Sequence, residues 1–328
     1  MTAPLLDIRD LRIGIRRGRR PPLVIVDKAD LRLGRGEIHG LVGESGSGKT
    51  MVCRSLIGTL SRRGASVLSG SVRLGDLDLA TADEAMWRTV RGRRIGYVTQ
   101  SALAGLNPVV TIGAQLKEAI RQTGTTGADA DRRAVELLDR VRIRRPEIVA
   151  RQHPHQLSGG MRQRVMIACA IATGPEIIVA DEPTTGLDVT VQAEIMKLLK
   201  AIQAETGVSV ILVSHDLALI DAVCDRITIM HAGTCVETGT VAQVARPRHP
   251  YTAALNRSRI ELAAPGSELR TIRGRPPAVG TWAPGCRFAD RCDGARPDCR
   301  TGEHPRLAPV ADGHMTACPF PDATEAAA

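Results

Sequence analysis

The sequence predicts an α/β fold: a parallel sheet covered by helices, with a mostly antiparallel layer ahead of it, a helical insert within it and a small cysteine-rich extension after it. Three observations predict this. The apolar run Ile38 to Val42 leads into Gly43-Glu44-Ser45-Gly46-Ser47-Gly48-Lys49-Thr50, which fits G-x-x-x-x-G-K-[ST] at every fixed position. Helix, strand, helix and strand alternate from Gly160 to Met230, as in a sheet covered on both faces. Residues 5 to 42 alternate apolar and polar in the short runs Leu5 to Ile8, Leu11 to Ile15, Leu23 to Val26 and Leu31 to Leu33, which read as antiparallel strands.

The glycine-rich stretch is a phosphate-binding loop. Glycines at 43, 46 and 48 permit backbone angles and a close approach that a Cβ would block, so consecutive N–H groups converge on phosphate oxygens. A helix expected from about Lys49 to Leu60 adds a partial positive charge at its N-terminus. Lys49 is placed to reach the β- and γ-phosphates, and the Thr50 hydroxyl to bind Mg²⁺, which prefers oxygen ligands.

Composition narrows the remaining classes. A chain of 328 residues suits one large domain plus an appendage. No apolar run is long enough to span a membrane, and Met1 to Arg20 lacks the apolar core of a secretory signal, so export is not expected. The net charge of +9 rests mostly on arginines scattered along the chain, with lysine only at 28, 49, 117, 197 and 200. Aromatics are confined to Trp87, Tyr97, Tyr251, Trp282, Phe288 and Phe320, too few for base stacking along a single strand. Nucleic acid is therefore not an expected partner. Cysteines in such a chain are expected as buried thiols or metal ligands rather than disulfides.

Beyond the loop, the pattern predicts a short strand near Val72 to Leu74, a helix around Glu84 to Val90 and a strand from Ile95 to Thr99, closed by Gln100. From Ser101 to Gln156 it turns helical, with Ile112, Leu116 and Ile120 on one face and Ala134, Leu137, Leu138 and Val141 on another. Composition shifts near Ala245, and beyond Ala263 prolines and glycines are frequent. The expected organisation is a core domain over 1–245, with a helical subdomain over about 101–156, and an extension over 246–328 ending in a frayed tail at Glu325 to Ala328.

A second group of residues carries chemistry. Ile177 to Ala180 is an apolar strand ending in Asp181 and Glu182, and successive strand residues face opposite ways, so the two acids take different tasks. Asp181 is suited to hold Mg²⁺, and Glu182 to act as general base or to orient the attacking water. Leu157-Ser158-Gly159-Gly160 opens a helix expected over Val165 to Ala172 and presents a serine and two glycine N–H groups, a second phosphate-binding surface. One nucleotide has one γ-phosphate, so this surface is expected to serve a nucleotide on another subunit.

The set formed by the P-loop, Gln100, Leu157-Ser158-Gly159-Gly160, Asp181-Glu182, Gly186-Leu187-Asp188 and His215 resembles the ATPase subunit of ABC transporters. Gly43 to Thr50, Leu106 to Gly113, Pro154 to Arg164, Pro183 to Gln192 and His249-Pro250-Tyr251-Thr252 are similar to the oligopeptide, dipeptide and nickel importer branch, over about residues 5 to 320. The resemblance implies two ATPase subunits closing head to tail around two ATP molecules with Mg²⁺, at the cytoplasmic face of the cell membrane. They would drive two membrane permease subunits fed by an extracytoplasmic substrate-binding protein. It gives His215 the role of γ-phosphate sensor, adds Gln100 to Thr50 and Asp181 as Mg²⁺ ligands, and adds Asp188 to the nucleotide site. The segment Leu103 to Leu116 would contact the membrane subunit. The cargo is a peptide, with nickel or a metallophore as the alternative. An ABC ATPase of DNA maintenance is the rival of another class, but the stretch between Thr50 and Ser158 holds only an ordinary helical insert.

Two positions depart from the branch. Ile15 stands where an aromatic residue stacks on adenine, and Gly186 stands where alanine or serine is usual. Loss of the stack is worth about 1–3 kcal/mol by analogy with base stacking on aromatics. In the extension, Cys286-x5-Cys292-x6-Cys299 is followed by Cys318 after eighteen residues. The first two gaps do not fit the Cys-x2–4-Cys start of zinc sites. By resemblance to branch members with this pattern, the four cysteines are expected to hold a [4Fe-4S] cluster, with zinc or reduced structural thiols as alternatives. Cys53, Cys169, Cys224 and Cys235 read as buried small hydrophobes.

Overall fold

The computed structural model describes residues 3–259 and 271–321, so the expected frayed tail at Glu325 to Ala328 lies outside the described residues. Its strands are, in chain order, β1 (Leu6–Arg17), β2 (Arg20–Leu33), β3 (Ile38–Val42), β4 (Ala65–Leu74), β5 (Leu77–Asp78), β6 (Ile95–Val98), β7 (Ile177–Asp181), β8 (Ser209–Ser214), β9 (Arg226–His231), β10 (Thr234–Thr240), β11 (Ala308–Ala311) and β12 (His314–Thr316). The chain divides into two compact units, residues 1–81 with 214–328, and residues 82–213.

In the first unit, the four short runs ahead of the P-loop are two long strands. β1 and β2 pair antiparallel from Leu6↔Leu33 to Arg17↔Arg20. Asp10 and Lys28 have φ of 48° and 56°, and the register slips between Ile8 and Leu11. Bulges thus interrupt the alternation, which makes each strand read as two. β1 also pairs with β4, giving the antiparallel order β2-β1-β4-β5. β4 begins at Ala65, earlier than the expected start near Val72.

The same unit holds β3 beside β9 in parallel, β9 antiparallel to β10, and β10 antiparallel to β12. β12 pairs in turn with β11, so the extension contributes a hairpin to this sheet. All five residues of β3 are buried. The helix after the P-loop ends at Leu56, short of the expected Leu60. Gly58 takes φ 63° and the Thr59 N–H donates to Arg54 O at 3.1 Å, a glycine-based stop that satisfies a terminal carbonyl.

In the second unit, β6, β7 and β8 are parallel, in register at Ile95↔Ile177 and Ile177↔Ser209. Every residue of β7 is buried, the continuous apolar pattern of a strand covered on both faces. Residues between Ser101 and Gln156 form helices Ala102–Gly105, Ile112–Arg121, Gly127–Arg140 and Pro146–Ala150. Ile112, Leu116 and Ile120 are buried, as are Ala134, Leu137, Leu138 and Val141. The helix expected from Val165 begins earlier, at Gly159, because Ser158 caps it.

All eight cysteines are free thiols; Cys53 and Cys235 are buried, whereas Cys169 and Cys224 keep part of their surface exposed. The sulfur of Cys169 is nonetheless enclosed, and burial pushes its thiol up to about 12.

Candidate functional site

The P-loop lies in the first unit, between β3 and the helix Lys49–Leu56. A Cβ at Gly43 would lie 2.1 Å from Met230 O, and Gly48 caps the helix at φ 103°, a conformation that side-chain-bearing residues rarely adopt. Lys49 is buried, and its Nζ donates to the carbonyl oxygens of Gly43 at 2.7 Å and Glu44 at 3.0 Å. These bonds hold the ammonium over the loop. The Ser47 N–H donates to Glu44 O at 3.2 Å, and Ser47 O accepts from Gly233 N at 3.0 Å. Ser45 and Gly46 form the turn between them, and Thr50 lies in the first turn of the helix. His215 follows β8 at an exposed position, directly before the cap formed by Asp216. Ile15 is part of β1 and pairs with Leu23 and Ala65.

Glu44 is tied to the C-terminal extension, a connection the sequence reading did not find. Its N–H donates to the Tyr251 hydroxyl at 3.0 Å. Its carboxylate accepts two bonds from the Arg291 guanidinium, at 2.7 and 2.8 Å. His231 Nδ1 stands 3.6 Å from the same carboxylate, beyond hydrogen-bond reach. Burial pushes the Glu44 carboxyl up, but the Arg291 bonds together with His231 outweigh it and hold the group down at about 2. Tyr251, His231 and Phe288 pack as rings beneath, with centroids 4.3 Å apart for His231 and Tyr251 and 5.3 Å apart for Tyr251 and Phe288. The only signal in the sequence was Tyr251 within His249-Pro250-Tyr251-Thr252. Nothing local marks Arg291.

The second unit brings three of the expected groups together. Gln100 Nε2 donates to Glu182 Oε2 at 3.0 Å, and the Thr185 hydroxyl donates to the same oxygen at 2.9 Å. With Nε2 so engaged, Oε1 is the amide atom left to ligate a cation. Asp181 is buried at the end of β7 and accepts from the Tyr97 hydroxyl at 2.9 Å. Glu182 takes φ 48°, in the left-handed region, and its N–H donates to Val213 O at 3.1 Å. The chain therefore leaves the strand at Glu182, and the two carboxylates take separate environments.

Ser158 and Asp188 each cap a helix. The Ser158 hydroxyl accepts from Met161 N at 3.3 Å, and Asp188 accepts from Val191 N at 2.9 Å. The helices they open, Gly159–Ile171 and Val189–Thr206, meet at glycines: a Cβ at Gly160 would lie 2.7 Å from Val191 Cγ1. Gln100, Gly159, Arg162, Thr185, Gly186 and Leu187 line one cavity.

The four cysteines of the extension also converge. Cys286, Cys292, Cys299 and Cys318 line one small apolar cavity with Phe288, Pro319 and Phe320. Burial pushes the Cys286 thiol up to about 11, and burial likewise raises Cys292 and Cys318. Among the described residues, no group of three or more His, Cys, Asp or Glu side chains is close enough to hold a metal ion. The expected metal centre is therefore a shared cavity and not a formed single-ion site.

A P-loop on a parallel strand, an acidic pair on a second parallel strand and a serine-capped glycine helix N-terminus together define an ATP-binding cassette. The ABC transporter family profile matches residues 26–185, and that of the oligopeptide/dipeptide transporter C-terminal region matches residues 236–299. A protein of Brucella melitensis biotype 1, provisionally named a peptide import ATP-binding protein, is 42% identical over 328 residues, covering 96% of each chain. One of Brucella abortus, named in the same way, is 46% identical over 302 residues, covering 91% of this chain and 90% of its own. The chain belongs to the ATP-binding subunits of ABC transporters, in the branch that carries the oligopeptide/dipeptide C-terminal region. Among solved structures, a dimeric ATP-binding cassette in a post-hydrolysis state, bound to ADP and Pi, is similar at 28% identity. Its TM-score is 0.63, over 72% of this chain and 98% of that one. A subunit of an ABC transporter complex from Clostridium perfringens matches in fold, with TM-score 0.64 at 24% identity over 75% of this chain and 92% of that one.

Proposed function

We propose that this chain is the ATP-hydrolysing subunit of a peptide importer, working as a head-to-tail dimer on two membrane permease subunits at the cytoplasmic face. The relatives' names, the matched C-terminal region and the dimeric cassette among the similar structures support this reading. Among the described residues no helix is long and apolar enough to cross a membrane. The ATPase domain is assigned to residues 1–245, with a helical subdomain over 101–156, and the extension to 246–328.

In this reading Gly43 to Thr50 wrap the phosphates, with Lys49 supplying the charge and the loop N–H groups the hydrogen bonds. Thr50, Gln100 and Asp181 are the residues suited to hold Mg²⁺, which when bound neutralises charge on the phosphate oxygens. Glu182 accepts the proton of the attacking water or orients it, and His215 senses the γ-phosphate. Ser158, Gly159, Gly160 and Asp188 complete the site of the opposite subunit. The observation that carries the assignment is the Gln100–Glu182 hydrogen bond beside Asp181, which ties the base to the helical segment. Loss of a general base costs roughly 10² to 10⁴ in rate. Glu182→Gln is therefore expected to cut turnover to that extent and to trap an ATP-bound dimer. Near wild-type turnover, or an ATP-loaded monomer, would sink the assignment.

For the extension, we propose that Cys286, Cys292, Cys299 and Cys318 hold one [4Fe-4S] cluster with a structural role. Their common cavity supports it, and a cluster takes its thiolates at separated corners rather than around one ion. Anaerobic purification followed by iron, sulfide and zinc analysis is expected to give about four irons per chain. One zinc, or a metal-free chain with an ordered extension, would overturn the cluster.

A further inference from the structure

We propose that Arg291 is a positioning residue for the nucleotide loop, seated by the cysteine-bearing turn of the extension, so that ATP binding depends on how that turn is held. The inference rests on reading Gly43 to Thr50 as the ATP site.

Glu44 places a carboxylate inside a loop that must receive a polyphosphate. An unpaired negative charge there would oppose the ligand, and partial burial strengthens the repulsion. Arg291 cancels it with two parallel bonds, at 2.7 and 2.8 Å, from a guanidinium whose side chain is only 5% exposed. This fork geometry fixes orientation as well as charge. The remainder of Glu44 is fixed too, its N–H on Tyr251 and its carbonyl under Lys49.

Arg291 has little freedom of its own. It ends the short turn Ala289–Arg291 directly before Cys292, and its Nε donates to Arg273 O at 2.9 Å. The Ala289 N–H donates to Cys286 O at 3.0 Å, the Cys292 N–H to Ala289 O at 3.3 Å, and the Cys286 N–H to Cys299 O at 2.8 Å. The turn that presents Arg291 thus begins and ends on cysteines lining the common cavity. A second arginine pins its start: Arg287 pairs with Asp27 and donates to Ala232 O at 2.7 Å. Whatever joins the cysteines also sets the guanidinium beside the nucleotide loop.

The test is Mg-ATP affinity of the full chain, purified anaerobically, measured by equilibrium dialysis. Arg291→Gln is expected to weaken binding about tenfold, within the usual range of coupling between linked sites. Adding Glu44→Gln to it is expected to restore most of the loss, because the stranded carboxylate is then gone, and Arg291→Lys is expected to fall between. Cys292→Ser is expected to weaken binding in the same direction and to add nothing to Arg291→Gln. Unchanged affinity in Arg291→Gln, no recovery in the double variant, or full additivity with Cys292→Ser would each overturn the proposal. Should Arg291→Gln fail to fold, Arg291→Lys decides by the same criterion. Lys49→Ala separates the two readings: if it binds Mg-ATP like the parent, it is the ATP site that fails.

Discussion

Glu182 holds its carboxylate at the end of β7 in a left-handed conformation, φ 48°, which costs a residue with a Cβ about 1–3 kcal/mol. The bonds to Val213, Gln100 and Thr185 offset that cost and hold the side chain in place. Asp181 is positioned by a different partner, the Tyr97 hydroxyl at 2.9 Å. Hydrogen bonds to charged groups are worth about 1.5–3 kcal/mol. Tyr97→Phe is therefore expected to raise the Mg²⁺ concentration for half-maximal ATPase activity about tenfold while leaving Mg-independent ATP binding nearly unchanged. An unaltered Mg²⁺ titration would show that Tyr97 does not act through Asp181. The acidic pair was legible because an apolar strand ending in two acids is a local pattern. Tyr97 was not, since its partner lies 84 positions away in sequence.

At the level of elements, local chemistry set most ends correctly and packing moved the others. Ser158, Asp188 and Asp216 cap the helices that follow them, each accepting backbone N–H groups from the first turn. The Lys49–Leu56 helix stops early because Gly58 supplies a left-handed residue where a helix can end. β1 and β2 are longer than their pattern suggests, since a bulge breaks the period of two without ending the strand. The contact of Gly160 with Val191 links the helix Gly159–Ile171 to the helix after Asp188, and it depends on a glycine whose reason is visible only once both helices are placed.

For the molecule as a whole, three partly or fully buried groups of the first unit, His249, His304 and Glu44, act against acid. Burial, followed by the neighbouring imidazoles of His231 and His304, lowers His249 from 6.5 to about 3. Burial, followed by Arg287, lowers His304 from 6.5 to about 4. The unfolded chain therefore binds protons that the folded chain refuses, so stability falls as pH drops below 6.5. Glu44, held at about 2 against 4.5, adds its own loss only below 4.5. Thermal melts are expected to show a lower midpoint at pH about 5 than at pH about 7. His249→Asn keeps a residue able to cap the helix Pro250–Arg257 and is expected to flatten that slope; an unchanged slope would remove His249 from the account.

By itself the sequence determined the class of fold, the glycine-rich loop, the acidic pair, the helix-capping Ser158 and the grouping of the four cysteines. Each of these is encoded within a few neighbouring residues, where spacing and side-chain chemistry suffice. Only the tertiary structure decided that Glu44 belongs to Arg291, 247 positions further on, and that the four cysteines share one cavity. Those pairings depend on how strands β9, β10 and β12 bring the extension back to the loop. A one-dimensional pattern carries no record of a contact between distant segments, because neither residue is unusual until the other stands opposite it.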